Sequence, residues 1–132
     1  MRADSELRVI TKSKDLLKLT FQIFENSPKK FRFTLTTRII NLSMDVLESL
    51  VLANEVLLSA DSFGAERRLN YQKRAIAKLK IIDTLLFVAR EQKCILPKQH
   101  ESLSKLVSDC QNMTGAWIVS DRNRLMNMGI RL

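Results

Sequence analysis

Thr34-Leu-Thr-Thr-Arg-Ile-Ile-Asn-Leu-Ser-Met-Asp-Val-Leu-Glu-Ser-Leu-Val-Leu-Ala-Asn-Glu-Val-Leu-Leu-Ser59 is the stretch that decides the fold. Its polar residues Arg38, Asn41, Asp45, Glu48 and Glu55 step by three, four, three and seven, a single narrow stripe on a helix. Ile39, Ile40, Leu42, Val46, Leu47, Leu50, Val51, Leu57 and Leu58 make most of the remaining surface apolar. A helix apolar around so much of its circumference needs burial on more than one side. That is more than one four-helix core covers, so the chain is expected to self-associate.

Three further helices follow from the flanking sequence. Residues 5–25 carry Leu7, Ile10, Leu17, Phe21 and Phe24 near one helical face, with Lys12, Lys14 and Lys18 largely off it. Asn26-Ser27-Pro28 ends that helix, because the residue before a proline avoids the α region. The second helix spans about 34–59. A break at Asp61-Ser62-Phe63-Gly64, with Ser62 as N-cap, leads to a third over about 65–93. Its second half, Ile81 to Ala89, reads as nearly all core. Pro97 suits the first turn of a fourth helix, 97–121, whose Leu103, Leu106, Cys110, Met113 and Trp117 form an a/d-type seam. Residues 122–132 read as a basic, frayed tail. The expected fold is all-α: a single-domain, antiparallel up-down-up-down four-helix bundle, assembling into a ring or barrel-like homo-oligomer.

The 132 residues hold 22 Lys/Arg against 14 Asp/Glu, a net charge of +8. Such an excess favours polyanions through counterion release, nucleic acid before acidic membrane. The charge is uneven: residues 31–61 are net −2 and residues 62–93 net +5, most of it before Ile81. At about 100° per residue, Arg67, Arg74 and Lys78 fall in one arc beside Tyr71, and Lys73 and Lys80 in a second row. With Arg68, these are the candidate nucleic-acid-binding residues, cations for phosphate and Tyr71 for stacking. A merely solvated charged face is the competing reading.

Catalysis finds little support, and no enzyme activity, metal or cofactor is expected. His100 is the one histidine, with no nucleophile assembled around it. Asp45, Glu48 and Glu55 share a helix face, but the Glu-x-x-His pairs of a di-iron bundle are missing. There is no P-loop or GxGxxG. Cys94 and Cys110 read as buried thiols, and Trp117 as a core anchor. The N-terminus lacks a signal-peptide core and no apolar run approaches the ~20 residues of a membrane span, so a cytoplasmic location is expected.

Four segments carry a family resemblance. Pro28-Lys-Lys-Phe-Arg-Phe-Thr-Leu-Thr-Thr-Arg-Ile-Ile40 and Val46-Leu-Glu-Ser-Leu-Val-Leu-Ala-Asn54 resemble the opening and continuation of the second helix of the Avd family. Leu96-Pro-Lys-Gln-His-Glu101 and Thr114-Gly-Ala-Trp-Ile-Val-Ser120 resemble its fourth helix. Avd is the accessory variability determinant of diversity-generating retroelements. The likeness covers about residues 7–121 and departs from the family at Thr36-Thr37, at Gln111-Asn112 and beyond Arg122. It implies a homopentameric four-helix-bundle barrel, without an active site, that associates with a reverse transcriptase and template RNA or cDNA in mutagenic retrohoming. The wider family includes proteins encoded in ribosomal-RNA intervening sequences. That kinship implies an alternative, an RNA- or DNA-associated bundle acting without a reverse transcriptase. A third reading is a structural or toxin–antitoxin-like partner of an acidic protein.

Overall fold

The computed structural model describes residues 2–59 and 62–130. Among them are four α-helices and no strand: α1 (Arg2–Glu25), α2 (Thr37–Glu55), α3 (Ser62–Glu91) and α4 (Pro97–Asn127). A 3-10 turn, Lys29–Phe31, and a π-helical turn, Arg32–Thr36, connect α1 to α2. Helix α2 packs against α1 and α3, and α4 against α3 and α1, around one core. Side chains pair across α3 and α4 at Arg68 with Asp121, Asp83 with Ser104, and Arg90 with His100.

Each helix reaches the core through a seam at alternating steps of three and four. On α1 the seam is Val9, Ser13, Leu16, Thr20 and Ile23, with Phe24 beside it. The expected face was rotated from this one: Phe21 is exposed and Ile10 and Leu17 are half-buried, while the Leu7 side chain lies outside the described residues. Two polar members hid the seam. Thr20 is tolerated there because its hydroxyl donates to the Leu16 carbonyl at 2.7 Å. Ser43 and Thr114 bond back one turn in the same way, to Ile39 and Cys110.

Helix α2 is shorter than its apolar run. It ends at Glu55, so Leu57 lies past its end and is exposed, and of its apolar residues Met44 and Val51 face outward. Helix α3 starts at Ser62 and passes through Phe63 and Gly64, where a break was expected; Asp61 lies outside the described residues. Its second half is not nearly all core. Ile82, Leu86 and Ala89 are buried, whereas Ile81, Phe87 and Val88 are exposed, since only one face of the helix meets its neighbours.

The ends of α3 and α4 share one device. Cys94 N–H donates to Ala89 O and Lys93 N–H to Arg90 O, with Lys93 at φ 63°. Ile130 N–H donates to Leu125 O and Gly129 N–H to Met126 O, with Gly129 at φ 84°. Both are Schellman motifs, in which a left-handed residue turns the chain back to satisfy the last carbonyls. The second corrects the expectation of a frayed tail from 122: α4 continues to Asn127, anchored by buried Asp121 and Leu125. At its start, Pro97 follows Leu96, whose N–H is capped by Gln99 Oε1 at 2.8 Å.

Candidate nucleic-acid interface

The seven residues expected to bind nucleic acid do not share one surface. Arg67, Lys73, Arg74 and Lys80 are exposed along the first two-thirds of α3. Among the described residues no carboxylate comes within ion-pair distance of any of these four. Lys78 is half-buried, and its Nζ lies 3.1 Å from Asp45 Oδ2, tying α3 to α2. Tyr71 is half-buried against the core, and the Arg74 guanidinium sits 5.3 Å from its ring centroid. One face of the expected stacking surface is thereby occupied by the chain's own cation.

Arg68 is buried and does not share the exposed face of the other α3 cations. It is 3% exposed, points inward and holds Asp121 through Nε at 2.7 Å and Nη2 at 3.0 Å. Its Nη1 donates to the Val56 carbonyl at 2.8 Å, and its guanidinium lies 5.0 Å from the Trp117 ring centroid. Adjacent residues on a helix point about 100° apart, so Arg67 can face outward while Arg68 faces the core. No composition or charge count separates the two.

The structure adds a cation whose place in the chain assigned it to the tail. Arg122 of α4 is exposed and lines a small cleft together with Leu69 and Gln72 of α3. The acidic stripe of α2 is divided in function: Asp45 takes Lys78, while Glu48 and Glu55 face outward. Among the described residues no group of three His, Cys, Asp or Glu comes together as a metal site. His100 Nδ1 lies 3.5 Å from Arg90 Nη1. No described helix is long and apolar enough to cross a membrane.

Both cysteines are buried and free. Burial raises the Cys94 thiol, and the Thr36 and Ser27 hydroxyls beside it pull it partly back. Burial pushes Cys110 up to about 12, with Asp109 adding to the effect and Lys12 opposing it. Neither thiol is a thiolate near neutral pH, which is what a nucleophile or metal ligand would need.

What the geometry provides is a set of exposed cations along α3. No family model matches the chain, and no curated protein matches it.

Proposed function

We propose that the protein is a non-catalytic nucleic-acid-binding accessory bundle that works beside a reverse transcriptase on RNA or cDNA. The observation that carries the binding half is the set Arg67, Lys73, Arg74 and Lys80, exposed together on one helix and committed to no carboxylate among the described residues. Cations left unpaired in this way are free to release counterions from phosphate. The resemblance to the Avd family supports the reverse-transcriptase half.

The same reading makes the bundle antiparallel, up-down-up-down, and closes it into a homopentameric ring. The α3–α4 pairings 68 with 121, 83 with 104 and 90 with 100 favour the antiparallel course. The outward Met44, Val51, Ile81, Phe87 and Val88 favour a further copy covering α2 and α3. A ring would repeat the α3 cations around the assembly and multiply weak binding by avidity.

Charge reversal tests the binding half. Replacing Arg67, Lys73, Arg74 and Lys80 together by Glu is expected to abolish duplex binding by fluorescence anisotropy. Single reversals are expected to lower the slope of log K against log salt by about 0.9 for each phosphate no longer neutralised. An unchanged slope in the quadruple variant means the strip is only a solvated face. Co-elution of the purified protein with the reverse transcriptase encoded nearest to it tests the other half. Binding to RNA without that complex leaves the intervening-sequence type of function.

A further inference from the structure

The basic strip of α3 is not the only place where cations gather. Lys29-Lys-Phe-Arg-Phe33 forms the link from α1 to α2, wound as a 3-10 turn that runs straight into a π-helical turn. Lys29, Lys30 and Arg32 are all exposed. Phe33 is 87% exposed, more than any other large hydrophobic side chain of the described residues. An aromatic ring turned almost wholly into water has no role in this chain's own packing, and π-helical turns recur at functional sites. Lys30 already lies 5.2 Å from the Phe31 ring centroid, so of the two phenylalanines Phe33 is the uncovered one.

Lys29 and Arg32 of this link also line a cavity of about 460 Å³, with Phe24, Asn26, Ser27 and Thr36, and with Glu25 and Pro28 at its wall. That volume falls in the ~300–1,000 Å³ range of small-molecule pockets. Its donors are two cationic side chains, two hydroxyls and an amide, opposed by the carboxylate of Glu25. Tertiary structure adds more charge. The Cys94 thiol lies beside Ser27 and Thr36, which brings the α3–α4 link to this end, with the exposed Lys93 next to Cys94 in the chain. Cations interleaved with an exposed ring form the pattern by which proteins hold single strands: charge follows the backbone and the ring stacks on a base. A duplex keeps its bases stacked inside and has no face to offer Phe33.

We propose that this end of the bundle is a second nucleic-acid site, selective for single strands, in which Lys29 and Arg32 hold phosphate at the cavity and Phe33 stacks on a neighbouring base. It stands on residues separate from the α3 strip, and it gives the nucleic-acid reading a substrate class. The test uses the whole protein with fluorescent oligo(dT) and oligo(rU) of about 12 nucleotides, within the ~4–16 nucleotides of single-strand sites, and with blunt duplex DNA.

Phe33→Ala is expected to weaken both single strands by about 5- to 100-fold and to leave duplex affinity unchanged. The double variant Lys29→Glu/Arg32→Glu is expected to lower the single-strand salt slope by about 1.4. Ultraviolet cross-linking of a 5-iodouridine oligonucleotide is expected to map to Phe33. Single-strand affinity within twofold of wild type in both variants overturns the proposal, as does an equal loss on duplex and single strand in Phe33→Ala. So does loss of reverse-transcriptase co-elution with oligonucleotide binding intact, which would make the surface a protein-docking one. If the α3 quadruple reversal binds like wild type while Phe33→Ala does not, the strip fails and this site stands. The oligo(dT) and oligo(rU) arms separate DNA from RNA.

Discussion

Asp121 accepts from three side chains at once: Arg68 at 2.7 and 3.0 Å, Gln72 at 2.9 Å and Arg124 at 2.8 Å. A buried carboxylate is tolerable when its lone pairs are filled by charged and polar donors, and removing it leaves those donors in a low-dielectric interior. Asp121→Ala is therefore expected to destabilise the fold by about 3–5 kcal/mol, read by urea denaturation. Asp121→Asn, which keeps one acceptor, should cost less. In contrast, Arg74→Ala should leave the denaturation midpoint nearly unchanged and weaken nucleic-acid binding. Cys110 supplies a prediction in pH. Its folded thiol is raised from 9.0 to about 12 by burial, so it holds its proton where the unfolded thiol has lost it. The contribution to stability is complete below about pH 9 and disappears as pH rises toward 12. Denaturation curves at about pH 8 and pH 10.5 should show this fall, and Cys110→Ala should make it shallower.

At the scale of elements, the two Schellman motifs use different residues for the same backbone state. A left-handed conformation strains any residue with a Cβ, and glycine alone adopts it freely. Lys93→Gly is expected to stabilise the protein by about 0.5–1 kcal/mol, seen as a higher thermal midpoint. Gly129→Ala is expected to do the reverse and to loosen the last turn of α4, seen as faster amide exchange near Leu125. Lys93 also lies among the cations at that end of the bundle, so Lys93→Gly should slightly weaken single-strand binding while stabilising the fold. The two effects have opposite sign and come from one side chain.

For the whole molecule, the outward apolar residues of α2 and α3 bear on assembly. Phe87 and Ile81 are both more than two-fifths exposed on the helix that carries the basic strip. Phe87→Asp with Ile81→Asp should keep helicity, since neither side chain is in the core, and should shift light-scattering mass toward the monomer. If the ring supplies avidity, that variant should also lose nucleic-acid affinity with its α3 cations intact. A variant that stays assembled would place the interface between copies elsewhere.

The sequence alone determined four helices, with no strand among the described residues, the links at Pro28 and Pro97, and the uneven charge. Each depends on residues close in the chain: Pro28 and Pro97 bound helices locally, and apolar spacing along α4 is a local pattern. Which face of each helix turned inward was less legible. On α1 the seam runs through Ser13 and Thr20, small polar residues that look, in sequence, like surface residues; Thr20 bonds back to its own helix, whereas buried Ser13 Oγ has no hydrogen-bond partner among the described residues. The candidate site divided along the same line. Arg67 and Arg68 are indistinguishable by composition; Asp121, 53 positions beyond Arg68, turned one of them into a core residue. Phe33 shows the opposite case, an aromatic residue that stands in water. Periodicity records what a helix can bury. Burial itself depends on which partners arrive from distant parts of the chain, and only the packed bundle brings them together.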